Sequence, residues 1–274
     1  MGISANDFQY ISKLVQEMSA IVLESGKEYL VESRIQPLAL KEGFASIEEL
    51  VKKMQMNPRN GFSAKVVEAM TTNETSFFRD IHPFETLKGA VFPELIEKRK
   101  DIKELNIWCG ASSSGQEPYT LAILIRENFP DLQSWKINYM ASDISNEMLD
   151  RCRKGIYSQL EVNRGLPATM MVKYFERHGT EWQIKEDIRK MIDFRITNLS
   201  GNWPLMPKLD LVMMRNVLIY FDVEMKKTIL GKIKKLLKPD GYLFLGAAET
   251  TLNLDESFER MNYKQSGCYR IRQG

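Results

Sequence analysis

The stretch from Leu105 to Tyr119 limits the possible folds more than any other part of the chain. An apolar run, Leu105 to Cys109, gives way to Gly110-Ala111-Ser112-Ser113-Ser114-Gly115 and then to helix-forming sequence from Gln116-Glu117 onward. Small residues let a backbone turn sharply and bring its amides close to a ligand at the start of a helix. The same alternation continues downstream. From about Pro83 a helix ends over Phe92 to Glu97. Strands are expected at Leu105 to Cys109, Ile137 to Ser142, Met191 to Ile196, Leu209 to Met214, Tyr242 to Gly246 and Cys268 to Ile271. Helices are expected at Pro118 to Asn128, Asn146 to Lys154 and Val223 to Leu237, and Pro239-Asp240-Gly241 reads as a turn. Strands alternating with helices imply an α/β fold, a doubly wound and mostly parallel sheet with ligands beyond the carboxyl ends of its strands. The alternation lapses over about 165–192, read as a small β insertion with a hairpin at Trp182-Gln183-Ile184.

Before this region the period is helical. Phe8, Ile11, Leu14, Val15, Met18 and Ile21-Val22 mark one helix, and Lys27 to Leu40 a second that Gly43 can stop. A third follows Ser46, with Glu49 placed as in a capping box, and a fourth runs over Ala64 to Met70. Asn57-Pro58-Arg59-Asn60-Gly61 separates the last two. Residues 1–75 are therefore read as an all-α N-terminal domain and residues 76–274 as the α/β domain.

Apolar content of 43% supports a real core, and a formal charge of +2 gives no general attraction to nucleic acid or membranes. Cys109, Cys152 and Cys268 lie far apart without a CxxC pair, so neither a disulfide framework nor a metal site is expected. Met1 to Gln16 has no basic region followed by an apolar run, and no segment has ~18 unbroken apolar residues. These features point to a soluble cytoplasmic protein without direct membrane insertion, expected to be a monomer.

Three chemistries could use the glycine turn. Gly110 and Gly115 have phosphate-loop spacing, but Gln116-Glu117 replaces the Lys and Ser/Thr such a loop needs. Ser113 could head a nucleophile elbow, with only His82 and His178 available as base. A carboxylate just past the turn suits a ligand that is partly cationic and lacks phosphates, such as S-adenosylmethionine (SAM). Glu117 can meet its ammonium and Asp143, ending the second strand, its ribose hydroxyls. An ordinary strand-to-helix turn, with Asp143 as a helix cap beside Ser145, is the plain alternative.

More specific blocks follow. Thr71-Thr72-Asn73-Glu74-Thr75-Ser76-Phe77-Phe78-Arg79-Asp80 resembles the stretch joining the two domains of CheR-type chemoreceptor methyltransferases. Trp108, Gly110, Ser112, Gly115, Glu117 and Tyr119 resemble their first SAM motif. Met214 to Phe221 resembles their fourth-strand motif and Leu237 to Leu243 their closing turn. The resemblance implies a Rossmann-like SAM-methyltransferase sheet and esterification of glutamate side chains on chemoreceptor cytoplasmic helices, releasing S-adenosylhomocysteine. By position it implies that Asn73, Thr75, Arg79 and Gly110 line the cofactor pocket and that Glu117 and Asp143 hold the methionine and ribose ends. Asn198-Leu199 would flank the adenine, and Arg215-Asn216 would lie under the cofactor. Arg79 and Tyr220 would sit beside the reacting methyl.

No metal or general base is required, because a glutamate with an unperturbed pKa of about 4.3 reaches the site already ionised. Lys27, Arg34 and Lys41 recur every seven residues and could form a basic stripe for an acidic substrate helix, although Glu28, Glu32 and Glu42 intervene. The segment Tyr174 to Trp182 has a single glycine where some family members carry a glycine-rich, tether-gripping loop, so independence from a receptor C-terminal pentapeptide is expected. A nucleic-acid or small-molecule methyltransferase and a non-catalytic SAM sensor are the rival readings. Arg215-Asn216-Val217 stands where the first of these would carry an Asn/Asp-Pro-Pro element.

Overall fold

A computed structural model describes residues 2–57 and 61–273. The chain divides into two compact units, one reaching Thr72 and regaining Tyr220–Met225, the other comprising Asn73–Ile219 and Lys226–Gly274.

The first unit holds α1 (Ala5–Ser19), α2 (Glu28–Lys41), α3 (Ile47–Met56) and α4 (Phe62–Met70). Ile11, Val15, Val31, Ile35, Leu50, Met54, Val66 and Met70 form its buried interior. Ser4 caps α1 and Ser46 caps α3. Glu49 accepts from the Ala45 amide instead of the Ser46 amide, so the capping box is displaced by one residue. Helix α1 stops earlier than its apolar pattern suggests. Ala20 turns left-handed at φ 59°, which leaves Ile21-Val22 outside the helix. Gly43, at φ 86°, ends α2 in a Schellman turn, with Phe44 N–H on Ala39 O at 2.9 Å and Gly43 N–H on Leu40 O at 3.1 Å. The break proposed at Asn57 to Gly61 lies largely outside the described residues, since 58–60 are not described.

Arg34 donates to Met70 O and Thr71 O, both at 2.8 Å, and to Thr72 Oγ1 at 3.1 Å. Its guanidinium satisfies carbonyls at the end of α4. Along the proposed basic line Lys27 and Lys41 stand exposed and Arg34 is half-buried.

The second unit begins with α5 (His82–Thr86), a π-helical turn at Leu87–Val91, and α6 (Phe92–Arg99). Then come β1 (Glu104–Gly110), α7 (Gln116–Asn128), β2 (Lys136–Asp143) and α8 (Asn146–Lys154). After these lie β3 (Ile156–Tyr157), α9 (Gln159–Asn163), α10 (Ala168–Tyr174), β4 (Phe175–His178), β5 (Glu181–Ile184) and α11 (Glu186–Arg189). The chain closes with β6 (Asp193–Ile196), β7 (Leu209–Met214), α12 (Val223–Leu236), β8 (Leu237–Leu245), β9 (Phe258–Arg260) and β10 (Cys268–Ile271).

The main sheet has the order β6-β2-β1-β7-β8-β10-β9, parallel except for β10, which runs against both of its neighbours. From β1 the chain winds outward through β2 to β6, then returns to β7 and winds the other way. Right-handed crossovers place α7 and α12 on opposite faces. The reversal between β1 and β7 opens a crevice at their carboxyl ends.

The small antiparallel sheet β3-β5-β4 recruits Ile156-Tyr157, upstream of the 165–192 insertion read from sequence, and Met191 stands before β6 instead of inside it. The Pro239-Asp240-Gly241 turn is a bulge inside β8. Pairing jumps from Leu209↔Leu237 to Leu211↔Tyr242. The cause is Asp210, fully buried opposite the bulge. Its carboxylate accepts from Arg99 Nε at 2.8 Å, Asn106 N–H at 2.9 Å and Lys238 Nζ at 2.8 and 2.9 Å. Arg99 also grips Asp240 at 2.6 and 3.0 Å. Asp210→Ala takes the acceptor from Lys238 and leaves Arg99 with Asp240 alone, and should cost about 3–5 kcal/mol in urea unfolding.

Candidate functional site

The turn after β1 is built from residues that L-amino acids adopt reluctantly. Ala111 and Ser113 are left-handed at φ 54° and 50°, and Gly115 follows at φ 95°. A Cβ on Gly115 would stand 3.0 Å from both Cys152 Sγ and Tyr157 Oη. The backbone of Ser113 is held on each side. Its amide donates to Asp143 Oδ2 at 2.8 Å, and its carbonyl accepts from Cys152 Sγ at 3.1 Å. Its hydroxyl donates to Asn73 O at 2.9 Å, and Tyr157 Oη donates to Ser114 O at 2.8 Å. Ser113 is therefore a structural rivet. His82 pairs with Glu85, and His178 sits in the β4–β5 hairpin, so neither acts as its base.

Glu117 lies in the first turn of α7, where the helix dipole favours a carboxylate. Arg215, just past β7, is 1% exposed and donates from Nη1 to Glu117 Oε2 at 2.5 Å. Its Nη2 donates to Arg79 O at 3.0 Å and to Asp80 Oδ2 at 2.9 Å. The guanidinium lies 5.6 Å from the centre of the Phe84 ring. Glu117 Oε1 and the buried Arg215 Nε have no hydrogen-bond partner among the described residues. Burial pushes the Glu117 carboxyl above the usual carboxylate range. Arg215 and then Arg79 oppose that rise, while Glu249 adds to it.

Asp143 ends β2 with both oxygens pointed at backbone amides, Oδ2 to Ser113 and Oδ1 to Ser145 at 3.0 Å. The cap of α8 is Ser145, which accepts from Met148 N–H, so Asp143 does not fill that position. Asn198 follows β6 and folds its Oδ1 onto Ser200, and Leu199 O accepts from Trp203 Nε1 at 3.0 Å. Trp203 meets Trp108 edge-on at 4.8 Å.

Asn73 and Thr75 are half-buried in irregular backbone and cap no helix, since α4 ends at Met70 with Thr71 as its cap and Ile81 caps α5. Arg79 is partly exposed and donates to Glu74 O at 2.8 Å. Phe77 is fully buried against Tyr157 and Phe175. Gly110 packs so tightly that a Cβ would fall 2.4 Å from Met214 Cε. Asn216 is left-handed at φ 58°. The fold thus gathers Asn73, Gly110, Glu117, Asp143, Asn198, Leu199, Arg215 and Asn216 around the ends of β1, β2, β6 and β7. Tyr220 belongs to the other unit, where its carbonyl accepts from Val22 N–H at 3.0 Å.

Sequence reasoning missed Asp80, Ser142, Gly246 and Glu249. Ser142 accepts from Trp108 Nε1 at 2.9 Å, and Glu249 binds amides about 30 residues upstream. No local motif signals such pairings.

The arrangement offers a carboxylate with one unpaired oxygen, a second carboxylate at a strand end, and a buried cation. It offers no thiolate: burial pushes the Cys109 thiol well up and the Cys152 thiol to about 12. Among the described residues no cluster of His, Cys, Asp and Glu could hold a metal ion. A ligand with an ammonium, hydroxyls and no phosphate fits these groups.

Comparison with known proteins gives the same outline. The family model "CheR methyltransferase, all-alpha domain" matches residues 6–71, and "CheR methyltransferase, SAM binding domain" matches residues 73–266. Chemotaxis protein methyltransferase 1 of Pseudomonas aeruginosa is 41% identical, covering 99% of this chain and 100% of the relative. Chemotaxis protein methyltransferase Cher2 of Pseudomonas putida is 39% identical over 97% of this chain and 98% of its own. The chemotaxis protein methyltransferase of Escherichia coli is 30% identical over 94% and 89%. With two family models and near full-length relatives in agreement, the chain belongs to the CheR family of SAM-dependent chemotaxis methyltransferases.

Proposed function

We propose that the protein transfers a methyl group from SAM to glutamate carboxylates on the cytoplasmic helices of chemoreceptors, leaving a glutamate methyl ester and S-adenosylhomocysteine. The observation that supports it most is the Glu117–Arg215 pair at the β1/β7 crevice, inside the segment matched by the SAM-binding family model. SAM, when bound, supplies an electrophilic methyl on a sulfonium. Glu117 receives the ammonium on its unpaired oxygen, and Asp143 takes the ribose hydroxyls. Asn198 and Leu199 flank the adenine, and Asn73, Thr75, Gly110 and Asn216 shape the pocket. Arg215 neutralises the inner side of Glu117 and fixes its rotamer.

An anion attacking a sulfonium loses charge in the transition state, so excluding water and aligning the carboxylate are the main catalytic tasks. Arg79 steers the incoming carboxylate without protonating it, and Tyr220 donates its hydroxyl or walls the methyl path. Exposed Lys27 and Lys41 offer positive charge to acidic receptor helices. The β4–β5 hairpin turns through Gly179-Thr180 alone, which supports activity without a receptor C-terminal pentapeptide tether. The enzyme is proposed to act in the cytoplasm as a monomer. Among the described residues no helix is long and apolar enough to cross a membrane.

Three measurements test this reading. Tritiated SAM with receptor-bearing membranes should give base-labile label on receptor protein, equally on receptors lacking the terminal pentapeptide. Label on nucleic acid, or binding without transfer, refutes the assignment. Arg79→Ala should lower kcat/KM by about 100-fold with native melting, because the side chain is partly exposed. Near-normal turnover by that variant removes Arg79 from the mechanism.

The third measurement is the pH dependence of SAM affinity. A raised Glu117 pKa means that the carboxylate gains a proton while pH is still above the usual carboxylate range. SAM affinity should therefore fall as pH drops through that raised value, and calorimetry on Glu117→Gln should show the acid limb abolished. The folded protein holds this proton more tightly than the unfolded chain does. The group thus favours folding at low pH and loses that contribution as pH rises through the raised pKa. The acid limb in binding is therefore not produced by unfolding at Glu117.

A further inference from the structure

Glu249 has no part in the functional reading so far, yet it is 8% exposed and its carboxylate is committed entirely to backbone. Oε2 accepts from Asn216 N–H at 2.8 Å and from Gly246 N–H at 2.6 Å, and Oε1 accepts from Ile219 N–H at 3.3 Å. Two of these amides lie in the segment after β7 and one at the end of β8. A single ionised side chain thus clamps the exits of two neighbouring strands.

The clamp acts on the residue that most needs it. Asn216 is left-handed at φ 58°, a conformation that asparagine tolerates better than most residues and that its surroundings here hold in place. Its neighbour Arg215 carries the buried guanidinium. Gly246 completes the fit. It is not left-handed, so its lack of a side chain answers to space alone. A Cβ there would fall 2.6 Å from Asn216 Nδ2, 2.8 Å from Asn216 N and 2.8 Å from Glu249 Oε2.

We infer that Glu249 is a positioning residue for the SAM site: its carboxylate fixes the Arg215–Ile219 backbone, and through it the placement of Arg215 against Glu117. The inference rests on the proposed SAM reading and adds to it a residue that never touches the ligand. It also explains why an acid is placed near Glu117 despite the repulsion between them: three convergent amides need a charged acceptor. Asp80 braces Arg215 from the other side but bonds a side chain and stands exposed, whereas Glu249 acts on the loop backbone itself.

The test uses Glu249→Gln and Gly246→Ala in the full chain, with SAM and S-adenosylhomocysteine affinities measured calorimetrically well below each melting midpoint. Glu249→Gln keeps the size but places an amide N–H₂ against backbone donors, and Gly246→Ala drives a Cβ against Asn216 and the Glu249 carboxylate. Both should weaken S-adenosylhomocysteine binding by about tenfold or more, with circular dichroism and cooperative melting retained. Native affinity in the folded fraction of both variants, whatever their melting temperatures, would show the clamp to be structural only and overturn the inference. Failure of the unmodified protein to bind SAM would instead overturn the underlying cofactor reading.

Discussion

The guanidinium of Arg215 is almost out of contact with water, and the site depends on how that charge is compensated. Removing an ion from water costs several kcal/mol even after relaxation, so a buried arginine is tolerable only when charges and hydrogen bonds surround it closely. Here Glu117 takes one amino group, Asp80 and the Arg79 carbonyl take the other, and the face of Phe84 lies beneath. These partners come from α7, from the segment before α5 and from α5 itself. One side chain after β7 thereby ties together α7 and the stretch from Arg79 to Phe84.

Backbone strain collects around the same point. Phe78, Asp80, Ala111, Ser113 and Asn216 all adopt positive φ without being glycine. Each such residue persists only where its neighbours over-determine it. Asp143 and Asn73 hold Ser113, Arg215 holds Asp80 and the Arg79 carbonyl, and Glu249 holds Asn216. The opposite end of the sheet is locked by a different device, the buried Asp210 with Arg99 and Lys238. Rigidity at both ends of β7 suits chemistry that needs alignment more than proton transfer.

Much of this was legible in the chain. The run from Leu105 to Glu117 announced a strand, a tight turn and a helix start because each step carries a local chemical signature. Alternating strands and helices gave the wound sheet, and Ser46 and Gly43 marked helix ends. What failed had non-local causes. Pro239-Asp240-Gly241 looks like a turn but is a bulge, because a buried aspartate across the sheet grips its flanks. Ile156-Tyr157 is too short to read as a strand and becomes one only when β5 arrives beside it.

The sequence by itself determined the order of elements, the carboxylate at the head of α7 and the acid closing β2, because periodicity, turn chemistry and helix-end preferences operate over a few residues. Only the tertiary structure decided that Arg215 would face Glu117 across 98 positions and that Glu249 would seize amides up to 33 positions away. Those pairings exist because the chain reverses direction between β1 and β7, which brings distant strand ends together, and the resulting exclusion of water makes each charge find a partner there.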